Sequence, residues 1–164
     1  MKRQRISVDT KNVKKLSASM AAKQKRLATN VKRAANDVLL NAEADAKALS
    51  PRDKGDLENS IHANKAEFNN HVVSGSIGSN LVYALRRHEE HIREGTWNKY
   101  ERGVKYEGYY VNGRGEVTRA KPEVRGYMPG RKYLENAARI NKDNWRREIA
   151  HAVSDTFKGG MKFD

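Results

Sequence analysis

Ala46 to Ile61 reads AKALSPRDKGDLENSI, and the organisation of the chain follows from it. Upstream lies a long alanine-rich segment with a helical period; downstream the pattern changes. Ser50 precedes Pro51, and the proline ring disfavours the helical region for the residue before it, so the helix is expected to end at about Leu49. Gly55 takes a positive φ without steric cost and is the expected pivot of the turn. Asp56 then stands as N-cap candidate for a helix of one or two turns holding Leu57 and Ile61, four apart. Pro51, Gly55, Leu57 and Ile61 form the expected structural corner. Taken alone, a well-made helix–loop–helix corner carries no function.

Working outward from the corner, the segment from about Asn12 to Leu49 places Leu16, Met20, Leu27, Val31, Ala35, Val38, Leu39, Ala42, Ala46 and Leu49 on one helical face, mostly three or four apart. The stripe is thin until Leu27 and fuller after it. The first half is therefore expected to project and the second half to pack. Met1 to Thr10 reads as a flexible basic arm.

Beyond the corner, His62–Phe68 and His71–Ser79 read as a hairpin turning at Asn69-Asn70. Gly75 and Gly78 within the second strand imply close approach of another element, the long helix. Gly103–Arg119 surrounds Asn112-Gly113, the strongest short hairpin signal. Its Tyr106, Tyr109 and Tyr110 fit either ordinary strand positions or a subunit contact. After a loop from Ala120 to Gly130, a helix from about Arg131 to Lys158 is expected to bury Leu134, Ala137, Ala138, Trp145, Ile149, Val153 and Phe157, and to end at Gly159-Gly160.

These readings give an α+β fold. Long N-terminal and C-terminal helices pack on a small antiparallel β-sheet with an extra hairpin. The expected layout is an arm over 1–10, one domain over 11–158 with 92–128 as an inserted region, and a tail over 159–164.

The chain has 164 residues and a net charge of +13, with 37% hydrophobic and 32% charged residues and no cysteine. One modest core is expected, marginal alone and helped by oligomerisation. Cysteine chemistry and thiolate zinc are excluded. No apolar run reaches transmembrane length, and a soluble protein is expected. The charge is unevenly placed. From Met1 to Asn36, Lys2, Arg3, Arg5, Lys11, Lys14, Lys15, Lys23, Lys25, Arg26, Lys32 and Arg33 oppose Asp9 alone, so +10 of the +13 lies in the first 36 residues. So lopsided a segment calls for an anionic partner; nucleic acid, an acidic protein surface and an anionic membrane are the three candidates, and of these no membrane partner is expected. No base-reading motif accompanies it, so any DNA binding would be to the backbone.

His88-Glu89-Glu90-His91 invites a metal reading, but the zincin pattern sets its two histidines four apart, and here they are three apart with no third ligand evident. Ion pairs or a subunit contact fit that charged stretch better. Gly113-Arg114-Gly115 lacks the lysine and helix of a phosphate loop, and no serine has a nucleophile-elbow context. Neither a cofactor nor catalysis is expected.

Three blocks, AEADAKALSPRDKGDLENSI (42–61), VVSGSIGSNLVYALRRHEEH (72–91) and GRKYLENAARINKDNWRREIAHAV (130–153), run in an order that resembles the neck or tail-completion (head–tail joining) proteins of long-tailed bacteriophages. The shared habits are an alanine-rich helix, Pro, then Gly-x-Leu-x-x-Ser-Ile; a strand with spaced glycines followed by Tyr-Ala; and a loop leading into a closing helix. Arg52 and Lys54 depart from the family pattern, and the 92–128 stretch is longer than its usual link. The resemblance implies a non-catalytic α+β subunit of a ring of six or twelve copies in the virion. That ring would be assembled in the host cytoplasm and seated between portal-side and tail proteins around packaged DNA. A general nucleic-acid-binding protein is the alternative that the basic helix alone suggests.

Overall fold

The computed structural model describes residues 10–158. Lys2, Arg3, Arg5, the side chain of Lys11, and the expected stop at Gly159-Gly160 lie outside what it describes. The long helix, α1 (Thr10–Leu49), ends where Ser50-Pro51 requires it to. At 1.5 Å per residue its forty residues span about 60 Å. The short α2 (Asp56–Ser60) follows the corner. Gly55 occupies the cap position with φ +100, so Asp56 is the first helical residue and not the expected N-cap; its carboxylate sits in the first turn, where the helix dipole favours it.

The expected first hairpin is one bent ribbon made of two ladders. β1 (Ile61–Ala63) pairs with β4 (Ile77–Ser79), and β2 (Glu67–Asn69) pairs with β3 (Val72–Ser74), all antiparallel. Its turn lies at Asn70-His71, one residue later than expected. Both residues have positive φ, 49° and 64°, as a two-residue hairpin turn needs. Between the ladders the ribbon is fastened to α1. The Ala63 amide donates to Glu43 Oε2 and the Ala66 amide to Asn36 Oδ1, each at 2.7 Å. Asn36 and Glu43 are two helical turns apart, so both reach the same edge. Gly75 lies against α1, where an added Cβ would collide with Leu39 Cδ1; Gly78 faces open space.

After α3 (Ala84–Glu89) comes a three-stranded sheet of β5 (Thr96–Glu101), β6 (Val104–Val111) and β7 (Arg114–Gly115), in that order. The Asn112-Gly113 turn is present, but its second strand is only two residues long, because the chain enters α4 (Glu116–Arg119) at once. The main partner of β6 is β5, joined through Arg102-Gly103.

The last helix, α5 (Tyr133–Phe157), runs antiparallel to α1: Asn30 Nδ2 donates to Thr156 Oγ1 at 3.0 Å near one end, and Asn141 Nδ2 to Asp45 at 2.7 Å near the other. Alanines at 35, 42, 46 and 137 are buried along the seam and let the backbones approach closely. One core cluster gathers Ala46, Leu49, Leu57, Ile61, Ala84 and Ala137 around Tyr133, whose hydroxyl donates to the Ala84 carbonyl at 3.2 Å. A second joins Ala35, Leu39 and Ala66 to Trp145 and Ile149. The fold is α+β as expected, with two corrections. The helices pack chiefly on each other, with the strands in three separate small sheets around them. On α5, Ala138, Val153 and Phe157 are exposed, whereas Tyr133, Asn141 and Thr156 are buried in their place.

Candidate partner-binding surfaces

From Lys14 to Asn30 no α1 side chain is buried; Leu16 and Met20 are 40% and 56% exposed, and burial begins at Val31. The first half of the helix therefore carries its cations into solvent. Spacings of seven and eleven residues bring Lys14, Lys25 and Lys32 within about 20° of one another around the helix, and likewise Lys15, Arg26 and Arg33. The second row is opposite the core stripe and the first flanks it. Lys23, on the other flank, is half-buried. Over the Lys14–Arg33 interval the ladder extends about 28 Å along the axis. Among the described residues none of these seven cations has an ion-pair partner; the first paired cation along α1 is Lys47, 2.6 Å from Glu43.

The corner is braced by residues of the 92–128 stretch and the loop after it. Lys121 Nζ donates to the carbonyls of Lys47 (2.8 Å) and Ser50 (2.9 Å) at the end of α1, the first of which also accepts from the Ser50 hydroxyl at 2.9 Å, and lies 3.3 Å from the Glu58 carboxylate. Its side chain is only 12% exposed, and burial pushes the ammonium pKa down against the pull of Glu58. The Gly130 amide donates to the Leu49 carbonyl at 2.7 Å. Thr118 Oγ1 accepts from the Arg52 amide and donates to the Arg52 carbonyl. Lys99 holds Asp53 at 2.8 Å, keeping that carboxyl below its usual range and raising its own pKa, with Glu101 also at 2.8 Å. The 92–128 stretch is thus the outer wall of the corner.

The His88–His91 stretch is mostly committed inside the chain. His88 lies edge-on to Tyr133; its Nδ1 meets Glu89 at 2.8 Å, and its Nε2 accepts a long 3.4 Å bond from the Glu135 amide in the first turn of α5. Glu89 is paired with Lys132, which lowers its pKa, and Glu90 with Arg87 at 2.8 Å. Glu89 and His91 are exposed, and of the four only His91 has no partner among the described residues. Among the described residues, no three His, Cys, Asp or Glu side chains converge as a metal site.

The tyrosines divide. Tyr109 is buried, donates to Asp53 at 3.3 Å, and carries Lys99 over its ring at 4.8 Å; burial raises its pKa. Tyr110 packs edge-on to Tyr109, and Tyr106 is exposed. Sequence reasoning missed Trp97 and Tyr100, both exposed on β5. The only available signal was the strand propensity of Thr96, Trp97 and Tyr100, since the two aromatics fall on opposite faces and give no alternation. Nothing in the sequence marked Lys121 or Thr118.

Among the described residues no helix is long and apolar enough to cross a membrane. No protein-family model, curated protein or solved structure matches the chain.

Proposed function

We propose that this chain is a structural subunit of the head–tail connector of a long-tailed bacteriophage. In this reading copies form a ring at the neck of the virion, between portal-side and tail proteins. The observation that carries the reading is the ladder of six exposed cations, unpaired among the described residues, that runs about 28 Å along α1, four of them before its first buried residue. Six exposed cations in two rows repel one another in an isolated subunit and are relieved by a polyanion or an acidic neighbour. Support also comes from the order of the three sequence blocks and from a corner braced as a rigid joint. The role proposed is mechanical, not catalytic.

Electron microscopy and native mass spectrometry of the protein mixed with its portal-side and tail neighbours test this directly. Rings of six or twelve copies are expected. A persistent monomer that binds neither neighbour overturns the reading. The same cation ladder favours a second reading, backbone binding to nucleic acid by the monomer. Gel shifts across a salt series separate the two: six phosphate contacts give a log–log slope of about −5 on duplex DNA. That slope without ring formation selects the second reading.

A further inference from the structure

Two hollows flank the first half of α5. One, about 640 Å³, opens between the end of α3, the 112–115 turn, the 128–131 loop and the start of α5. The other, about 460 Å³, lies between α1, the Gly75–Ile77 segment and α5, with Val38, Leu39, Ala42 and Trp145 in its walls. Glu135 and Arg139 belong to both hollows, which makes them one strip along the outer side of α5. From Lys132 to Arg146 the strip is about 21 Å long, room for some six residues of extended chain or four turns of helix.

The chemistry of the strip is mixed. Its walls carry seven Lys or Arg side chains against Glu90 and Glu135. Arg114, Arg131 and Lys142 have no ion-pair partner among the described residues. The second hollow is predominantly apolar, and the exposed Ile92 and Met128 form an apolar lip on the first. A phosphate backbone would match the cations and leave the Trp145 wall without apolar cover. A neutral apolar segment would fill that wall and leave Arg131 and Lys142 uncompensated. A second copy of a chain with net charge +13 would bring cations to cations.

We propose that this strip is the docking site for an acidic amphipathic segment of another protein. Apolar anchors would enter the Trp145 hollow, and carboxylates would meet the Arg131 and Lys142 side of the strip, arginine offering the two-pronged geometry that carboxylates accept. The site needs one copy of the chain and does not depend on the ring, so its failure leaves the connector reading standing.

The test uses the full chain carrying Trp97→Phe, which leaves Trp145 as the single tryptophan reporter. The probe is a blocked 15-residue peptide with leucines at helical i, i+4 and i+7 spacing and glutamates elsewhere. A saturable change in Trp145 emission is expected. Arg131→Glu with Lys142→Glu, both exposed positions, should weaken binding by about tenfold or more. Ala138→Phe, also exposed, should abolish the change by filling the hollow. Equal binding of the same peptide with lysines in place of glutamates, equal binding of polyglutamate, or no saturable change with the acidic peptide overturns the proposal. Concentration-dependent dimers that Ala138→Phe dissociates also overturn it, in favour of a second copy as the occupant.

Discussion

At Gly55 the cost of a side chain can be separated from crowding. Its φ is +100, and an added Cβ would meet only Asn59 Nδ2, at 3.9 Å. Gly55→Ala and Gly55→Val should therefore both lose stability through backbone strain, by about 1–3 kcal/mol, with valine the worse for its branched Cβ. Thermal melts check this; unchanged melting temperatures would mean that the corner tolerates a side chain there. Lys121 is the other residue on which the corner turns. Lys121→Met keeps the volume and removes the charge, which takes the ammonium donor from the Ser50 carbonyl and the Glu58 carboxylate, while the Lys47 carbonyl keeps the Ser50 hydroxyl. A loss of about 2–4 kcal/mol is expected in denaturant unfolding, because the groups left behind are desolvated. A loss below about 0.5 kcal/mol would mean that water replaces the ammonium.

The elements differ in how plainly the sequence announced them, and the reason is burial. α1 and α5 were legible because each buries a face, so apolar residues recur at three and four, and Ser50-Pro51 marks where α1 stops. The β1–β4 ribbon was legible because Val73 and Ile77 face inward, although the turn slipped by one residue: the pairing of Phe68 with Val73 fixes the register, and this puts Asn70 and His71 at the two positive-φ positions. β5 was missed because TWNKYE is mainly exposed on both sides, so no apolar face betrays it. The candidate surface was legible as charge on α1, which needs no partner to be seen. Its counterpart around α5 was not, because Arg114, Arg131 and Lys142 come to one strip, across two adjoining hollows, only when separate elements close on one another. The ties between ribbon and helix were hidden too, since Asn36 and Glu43 look like ordinary surface residues. Glu43 makes a test at this scale. Its bonds to Lys47 and to the Ala63 amide hold its pKa below the usual glutamate value, so the folded state binds its proton less readily than the unfolded chain does. The stabilisation is therefore complete at neutral pH and is lost as the pH falls below about 4.5 and through the lowered folded value. Glu43→Gln should melt below the parent at pH 7 by an amount equivalent to about 1–2 kcal/mol, and the gap should close towards pH 3. A gap that stays constant with pH would show that the carboxylate charge contributes nothing.

For the whole molecule, charge and stability should come apart along α1. Lys14, Lys15, Lys25 and Arg26 are exposed, lie before the first buried residue of the helix, and have no ion-pair partner among the described residues, so the folded core gains nothing from their sign. Replacing all four by glutamate removes four positive charges and adds four negative ones, which takes the net charge from +13 to about +5. Relief of mutual repulsion should leave the melting temperature equal to the parent's or slightly above it, since exposed substitutions away from partners change stability by about 0.5 kcal/mol or less. Association should respond in the opposite sense. If the ladder faces an anion, the variant loses binding to duplex DNA or to an acidic neighbour, and the parent loses the same binding at high salt, with a screening length of about 8 Å at physiological ionic strength. Parallel melting and pull-down measurements at low and high salt read both quantities. A variant that melts normally and still docks would reduce the ladder to a device for solubility and would move the weight of recognition to the second cationic surface along α5.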